Sequence, residues 1–186
     1  MSSFFDNNLI FKGSLLYSFD KTKELDIIQN APLSIKIDDN SSLSKISNFT
    51  SKLFFEQFRS LIYSEDLEFG YYSKTCDFVE KNIKENKELV LNSFLENTLK
   101  NSNDKYILFA ILHTISHLDY ELVFPHAQFI PLSLINHKDL EIRDYSIQCF
   151  EIWESKESLT YLKNLNLESH SLQNYLNNVI SYIESL

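Results

Sequence analysis

The residues with the clearest capacity for chemistry are His113 and His117, one helical turn apart in His113-Thr-Ile-Ser-His117. Imidazoles at i and i+4 share a helix face and could give a transition metal two ligands. The general-base glutamate of an H-E-x-x-H pattern is missing, because Thr114 stands in its place. His126 and His137 would add ligands only if the fold carried them close. The helical wheel favours a plainer role. His113 and His117 flank a stripe of Leu108, Ile111, Ile115 and Leu118 and line up with Phe109 and Tyr120. They are therefore expected to be boundary histidines hydrogen-bonded to a neighbouring helix, with no metal and no cofactor. Nucleophilic catalysis has no G-x-S-x-G elbow to work with. Cys76 and Cys149 lie far apart and outside any C-x-x-C pair. They are expected to be small buried apolar residues. Asp38-Asp39 and Glu65-Asp66 have no distinctive spacing and suit solvated loops. The chain is expected not to be an enzyme.

One charge pattern is more ordered. Glu141, Asp144, Gln148, Glu151 and Glu154 recur every three or four residues, opposite an apolar helix face. Such a stripe is ordinarily a solvated face. Like charges at these spacings nevertheless cost an isolated helix a few tenths of a kcal/mol per pair. A face that tolerates that repulsion is a candidate for a basic partner, which makes Glu141, Asp144, Glu151 and Glu154 the candidate partner-binding residues. Tyr71, Tyr72, Tyr120 and Tyr161 are candidate surface contacts, since tyrosine is favoured at interfaces.

These side chains must be positioned by helices. Of 186 residues only two are Gly and three Pro, too few for a turn-rich β-sandwich or a phosphate-cradling loop. Hydrophobic residues make up 44% and charged residues 23%, which suits a folded chain. Seventeen Lys and Arg against 26 Asp and Glu give a net charge of −9, the wrong balance for non-specific nucleic-acid binding. Apolar residues at Leu172, Tyr175, Leu176, Val179, Ile180 and Ile183 mark one helix face, capped by Ser169 or Ser171. Asp139 should cap Leu140 to Trp153, whose buried face would hold Ile142, Ser146, Cys149, Phe150 and Trp153. Ser155 should cap a helix from Lys156 to Leu165. Asn103 or Asp104 should open Lys105 to Leu118. Tyr120 to Asn136 follows, with Pro125 as an N1 proline and Pro131 as a kink or break. Tyr71 to Lys84 and Lys87 to Leu99 read as two helices separated by Asn86. Ile46 to Tyr63 reads as a longer one, with Ile46, Phe49, Leu53, Leu61 and Ile62 as its core stripe.

Residues 1–45 are expected to form an irregular N-terminal cap. Leu33 to Ile37 suits a short strand, Asp38 to Asn40 a turn, Leu25 to Gln29 a helical turn or two, and Leu9 to Phe19 either helix or strand. No linker or composition break divides the chain, so a single domain is expected over 1–186, with the helical repeats in 46–186. The opening Met-Ser-Ser-Phe-Phe-Asp lacks a basic n-region, and Asp6 interrupts any apolar core. The longest apolar run, Ile107 to Leu112, is far below the roughly 20 residues of a membrane span. A cytoplasmic protein with no membrane partner is expected.

The paired helices and short links suggest stacked helical hairpins. One stretch makes this specific: Asp139, then Ile142-Arg143, then Ser146, on a helix running to Trp153. It resembles the first helix of a HEAT-type repeat, and Glu154 to Leu162 is similar to that repeat's turn and second helix. The usual Gly and Pro of the turn are missing, so Ser155 would have to make it. The resemblance covers about Asn103 to Leu186, is weak over Tyr71 to Lys100 and is absent before that. It implies an all-α fold, a short α-solenoid of stacked hairpins. It also implies that Arg143 bonds to acids or carbonyls of the adjacent repeat. It implies a binding surface and no reaction. Together with the charge, it leads to the expectation of a non-catalytic binding module. The concrete version is a bacterial immunity protein or antitoxin that neutralises a basic toxin effector such as a nuclease. The alternative is a regulatory or assembly scaffold holding a peptide or subunit.

Overall fold

Helices begin where a short polar side chain can turn back onto the backbone. The computed structural model describes residues 40–65, 67 and 70–186, with side chains from Thr50 onward. Ser73 accepts from the Cys76 amide, Asp104 from Ile107, Asp139 from Glu141 and Ile142, and Ser169 from Leu172. Each bond satisfies an amide that the first helical turn leaves unpaired. Among the described residues eight α-helices result: α1 Asn40–Ile62, α2 Lys74–Lys100, α3 Lys105–Ser116, α4 Tyr120–Val123, α5 Phe129–Leu134, α6 Leu140–Trp153, α7 Leu159–Leu162 and α8 His170–Ser185. Short 3-10 turns, His126–Gln128 and Lys156–Ser158, lead into α5 and α7. No strand occurs among the described residues, and the fold is all-α. The expected strand at Leu33 to Ile37, with the elements before it, lies outside the described residues. Helix α1 already begins at Asn40, inside the stretch expected to be an irregular cap.

Several local expectations need correcting. Asn86 does separate two helical stretches, but as a kink within α2, with φ −153° and ψ 84°. Its Oδ1 accepts from the Leu89 amide and so caps the second stretch. Pro131 does not break the chain. It is the third residue of α5, within the first turn, where a missing amide costs nothing. The interruption falls earlier, at Phe124 and Pro125 between α4 and the 3-10 turn. Ser155 does take the N-cap position before Lys156, but its side chain caps no amide and its hydroxyl instead donates to Glu157. The turn after α6 is made by Glu154, which takes the left-handed conformation at φ 52°. The buried face of α1 is Phe54, Phe55, Phe58 and Ile62, whereas Leu53 is exposed; the side chains of Ile46 and Phe49 lie outside the described residues.

Packing places α3, α6 and α8 side by side. α6 is in contact with both α3 and α8. Across α3 and α6, Tyr145 meets His113, Cys149 approaches the Leu112 carbonyl, and the Trp153 indole donates to the Ile115 carbonyl at 3.2 Å. From Lys105 with Glu141, through Phe109 with Tyr145, to Ile115 with Trp153, both positions advance together, so the two helices run parallel. The same holds for α6 and α8, where Glu151 meets Tyr175 and Glu154 meets Tyr182. Parallel neighbours need return segments, and α4 with α5, and then α7, supply them. At the other end α1 packs on α2, where Phe94 sits between Phe54 and Phe58 with ring centroids 5.5 and 4.9 Å away. Buried residues form one continuous cluster from Phe54 to Ile183. No helix among the described residues is long and apolar enough to cross a membrane.

Candidate functional site

The acidic stripe lies on α6, whose register is set by the Asp139 cap at one end and the left-handed Glu154 at the other. The Asp139–Lys105 pair and the Trp153 indole tie the helix to α3, and the side away from its buried Ile142, Phe150 and Trp153 carries the carboxylates. That side is not a bare solvated face. Glu141 is exposed but bonded to Lys105 of α3 at 2.7 Å, and the same ammonium reaches Asp139 at 3.2 Å. Burial alone would lower the Lys105 pKa, but the bonds from Glu141 and Asp139 outweigh it and raise the value. Asp144 is half-buried, and burial, followed by the charge of Glu151, pushes its carboxyl above the ordinary value. Glu151 is half-buried and accepts from the Tyr175 hydroxyl of α8. Glu154 is exposed and accepts from the Tyr182 hydroxyl, one further step along the same pair of helices. Gln148, at the middle of the stripe, is half-buried.

The four candidate partner-binding residues therefore fall into two groups. Glu141 belongs to a small cluster with Lys105 and Asp139 beside the α3 and α6 starts. Nearby, His137 Nε2 bonds to the Ser102 carbonyl at 2.8 Å, and Lys138 reaches Asn103, so the loops before α3 and α6 are laced together. Asp144, Glu151 and Glu154 line the seam between α6 and α8. The two tyrosines that hold this seam were not singled out from sequence as site residues. Tyr175 is visible there as part of the apolar stripe of the last helix; Tyr182 has no sequence signal. From Asp139 to Leu186 there are eight Asp and Glu against three Lys and Arg, so this quarter of the chain carries a net −5 of the total −9.

Arg143 does not do what the resemblance implies. Among the described residues it has no ion pair, and its Nε is buried without a hydrogen-bond partner. Tyr71, Tyr72 and Tyr161 are exposed, as expected. Tyr120 is not a surface contact: it packs partly buried against Phe124 and Trp153, with its hydroxyl unpartnered.

The histidine pair lies on the other side of α6. His113 is fully buried, and its Nδ1 is 3.1 Å from the Tyr145 hydroxyl, a bond to the neighbouring helix. The His117 ring packs against it, tilted, at 4.3 Å, and His117 Nδ1 donates back to the His113 carbonyl at 2.8 Å. His117 Nδ1 is thus engaged with the backbone, and His137 is bonded elsewhere. No group of three or more His, Cys, Asp or Glu among the described residues is placed to hold a metal ion. Cys76 and Cys149 are both buried and unpaired. Burial pushes both thiols above their ordinary value, Cys149 the more strongly, which makes them poor nucleophiles.

Comparison with known proteins finds no matching family model, no matching curated protein and no matching solved structure.

Proposed function

We propose that this protein is a non-catalytic binding module whose acidic C-terminal face, formed by α6 and α8, engages a basic protein partner. The observation that carries this reading is the seam at Glu151 and Glu154. Each carboxylate is held by a tyrosine hydroxyl from α8 yet keeps lone pairs to offer. A carboxylate already fixed in place loses less rotamer freedom when a Lys or Arg arrives. The surplus of negative charge over this quarter of the chain would also steer a basic partner towards it. The parallel side-by-side packing of α3, α6 and α8 is the arrangement a HEAT-like stack would use, and such stacks serve as binding surfaces. The concrete version is an immunity protein, or antitoxin, that blocks a basic effector such as a toxin nuclease. A positive groove built for phosphate is a natural target for a rigid acidic helix.

Affinity capture from the native host at low and then high salt tests this reading. Recovery of one small basic polypeptide, released by salt, supports the effector version. Recovery of a large assembly held through a neutral peptide supports a regulatory scaffold instead and removes the role of the acidic face.

A further inference from the structure

His113 is an ionisable side chain with no exposed surface, and the binding function makes no use of it. Its surroundings contain no carboxylate, and only the Tyr71 backbone favours a charge on the ring. From its own helix and that helix's end, Phe109 stacks on the ring at 6.1 Å and the His117 ring lies tilted against it at 4.3 Å. From α6 comes the Tyr145 hydroxyl, while the buried Cys149 thiol lies against the carbonyl of the preceding Leu112. From the segment leading into α2 comes the Tyr71 backbone, and the buried Cys76 thiol at the helix start acts on Tyr145. None of these is a carboxylate. With the ring neutral and its proton on Nε2, Nδ1 accepts from Tyr145, and the ring fits an apolar site. Nε2 has no partner in hydrogen-bond geometry. A second proton would leave a cation in that site with no counter-charge.

We propose that His113, packed against the His117 ring and bonded to Tyr145, is an acid-sensitive latch between α3 and α6 that holds while its ring is neutral. Burial, and then any charge on His117, lowers the His113 pKa from 6.5 to about 4, with only a small opposing contribution from the Tyr71 backbone. The sign follows from linkage. The unfolded chain takes up the proton near pH 6.5 and the folded chain only near 4, so stability is complete above 6.5 and is lost as pH falls through that window. Between pH 7 and pH 5 the folding equilibrium constant should drop by about 20-fold through this one group. Because α6 also carries Asp144, Glu151 and Glu154, release of the latch would loosen that acidic face.

The test compares the full chain with His113→Gln, which can keep the bond to Tyr145 but cannot titrate, and with His113→Phe, which removes the polar ring. Denaturant unfolding is followed at pH 7 and pH 5 through Trp153, the single tryptophan, whose indole bridges α6 to α3. The parent should lose about 20-fold more in its folding constant than either variant over this interval. Equal losses in parent and variants overturn the proposal. Should neither variant fold, nuclear magnetic resonance of the parent decides. A His113 ring that stays neutral at pH 5.5 supports the latch. A ring that titrates near 6.5 with the α3–α6 packing intact overturns it.

Discussion

Asp139 combines two contributions that substitution can separate. Its Oδ1 accepts from the amides of Glu141, at 2.9 Å, and Ile142, at 3.4 Å, while Oδ2 faces Lys105 at 3.2 Å. Removing an N-cap costs about 1 kcal/mol, within a range of roughly 0.5–2. The ion pair is partly exposed, and Lys105 keeps Glu141 at 2.7 Å, so its loss should cost no more than about 0.5 kcal/mol. Asp139→Ala should therefore destabilise by about 1–2 kcal/mol, and Asp139→Asn, which keeps a capping oxygen, by less than about 0.5. Urea denaturation at pH 7 reads the difference. Acidification adds a second check. Burial alone would raise the Asp139 pKa, but the bonds from Lys105, Ile142 and Glu141 together hold it below 3.8. The folded state thus favours the charged carboxylate. Its contribution is present at neutral pH and is lost as pH falls from the unfolded value through the lower folded one. The gap between parent and Asp139→Asn should close over that range. Alanine and asparagine variants of equal stability would refute the cap as the feature that sets the start of α6.

Other consequences follow from burial and backbone geometry. Phe94→Ala, which empties the space between Phe54 and Phe58, should cost about 3–5 kcal/mol by denaturant unfolding. Gly70 sits at φ +79° with open space around any added Cβ, so Gly70→Ala should cost about 1 kcal/mol through conformation alone. Arg143→Met should leave the urea midpoint unchanged or raise it, because a buried Nε without a partner gains nothing from its charge. A loss above about 1 kcal/mol would reveal the bond to a neighbouring helix that the HEAT-type resemblance implies.

Much of the fold is legible where a local signal and the tertiary structure agree. Asp104, Asp139 and Ser169 are visible caps because each precedes an apolar stripe, and each does accept an amide of the first turn. Asn86 breaks its helix, and the stripe from Leu172 to Ile183 is buried as its spacing predicts. The failures have physical causes. Pro131 is a helix breaker only beyond the first turn, and the position of that turn depends on the 3-10 segment before it. Phe54, Phe55 and Phe58 displace Leu53 from the core of α1 because α2 approaches on their side. Glu154 adopts a conformation that glycine usually takes, which no pattern of residue types announces. The acidic stripe is legible as a stripe. Its tyrosine partners are not, because they come from a helix 24 and 28 residues further on.

The acidic face is tested most directly by the association rate of the captured basic partner at two salt concentrations. The variant to use is Glu151→Gln with Glu154→Gln, in which each amide oxygen can still accept from Tyr175 or Tyr182 while both charges are gone. Slower association at low salt and a shallower salt dependence are expected, with the fold unchanged. A double variant that binds as fast as the parent, with the same salt slope, would contradict a role for the α6–α8 face in recognition.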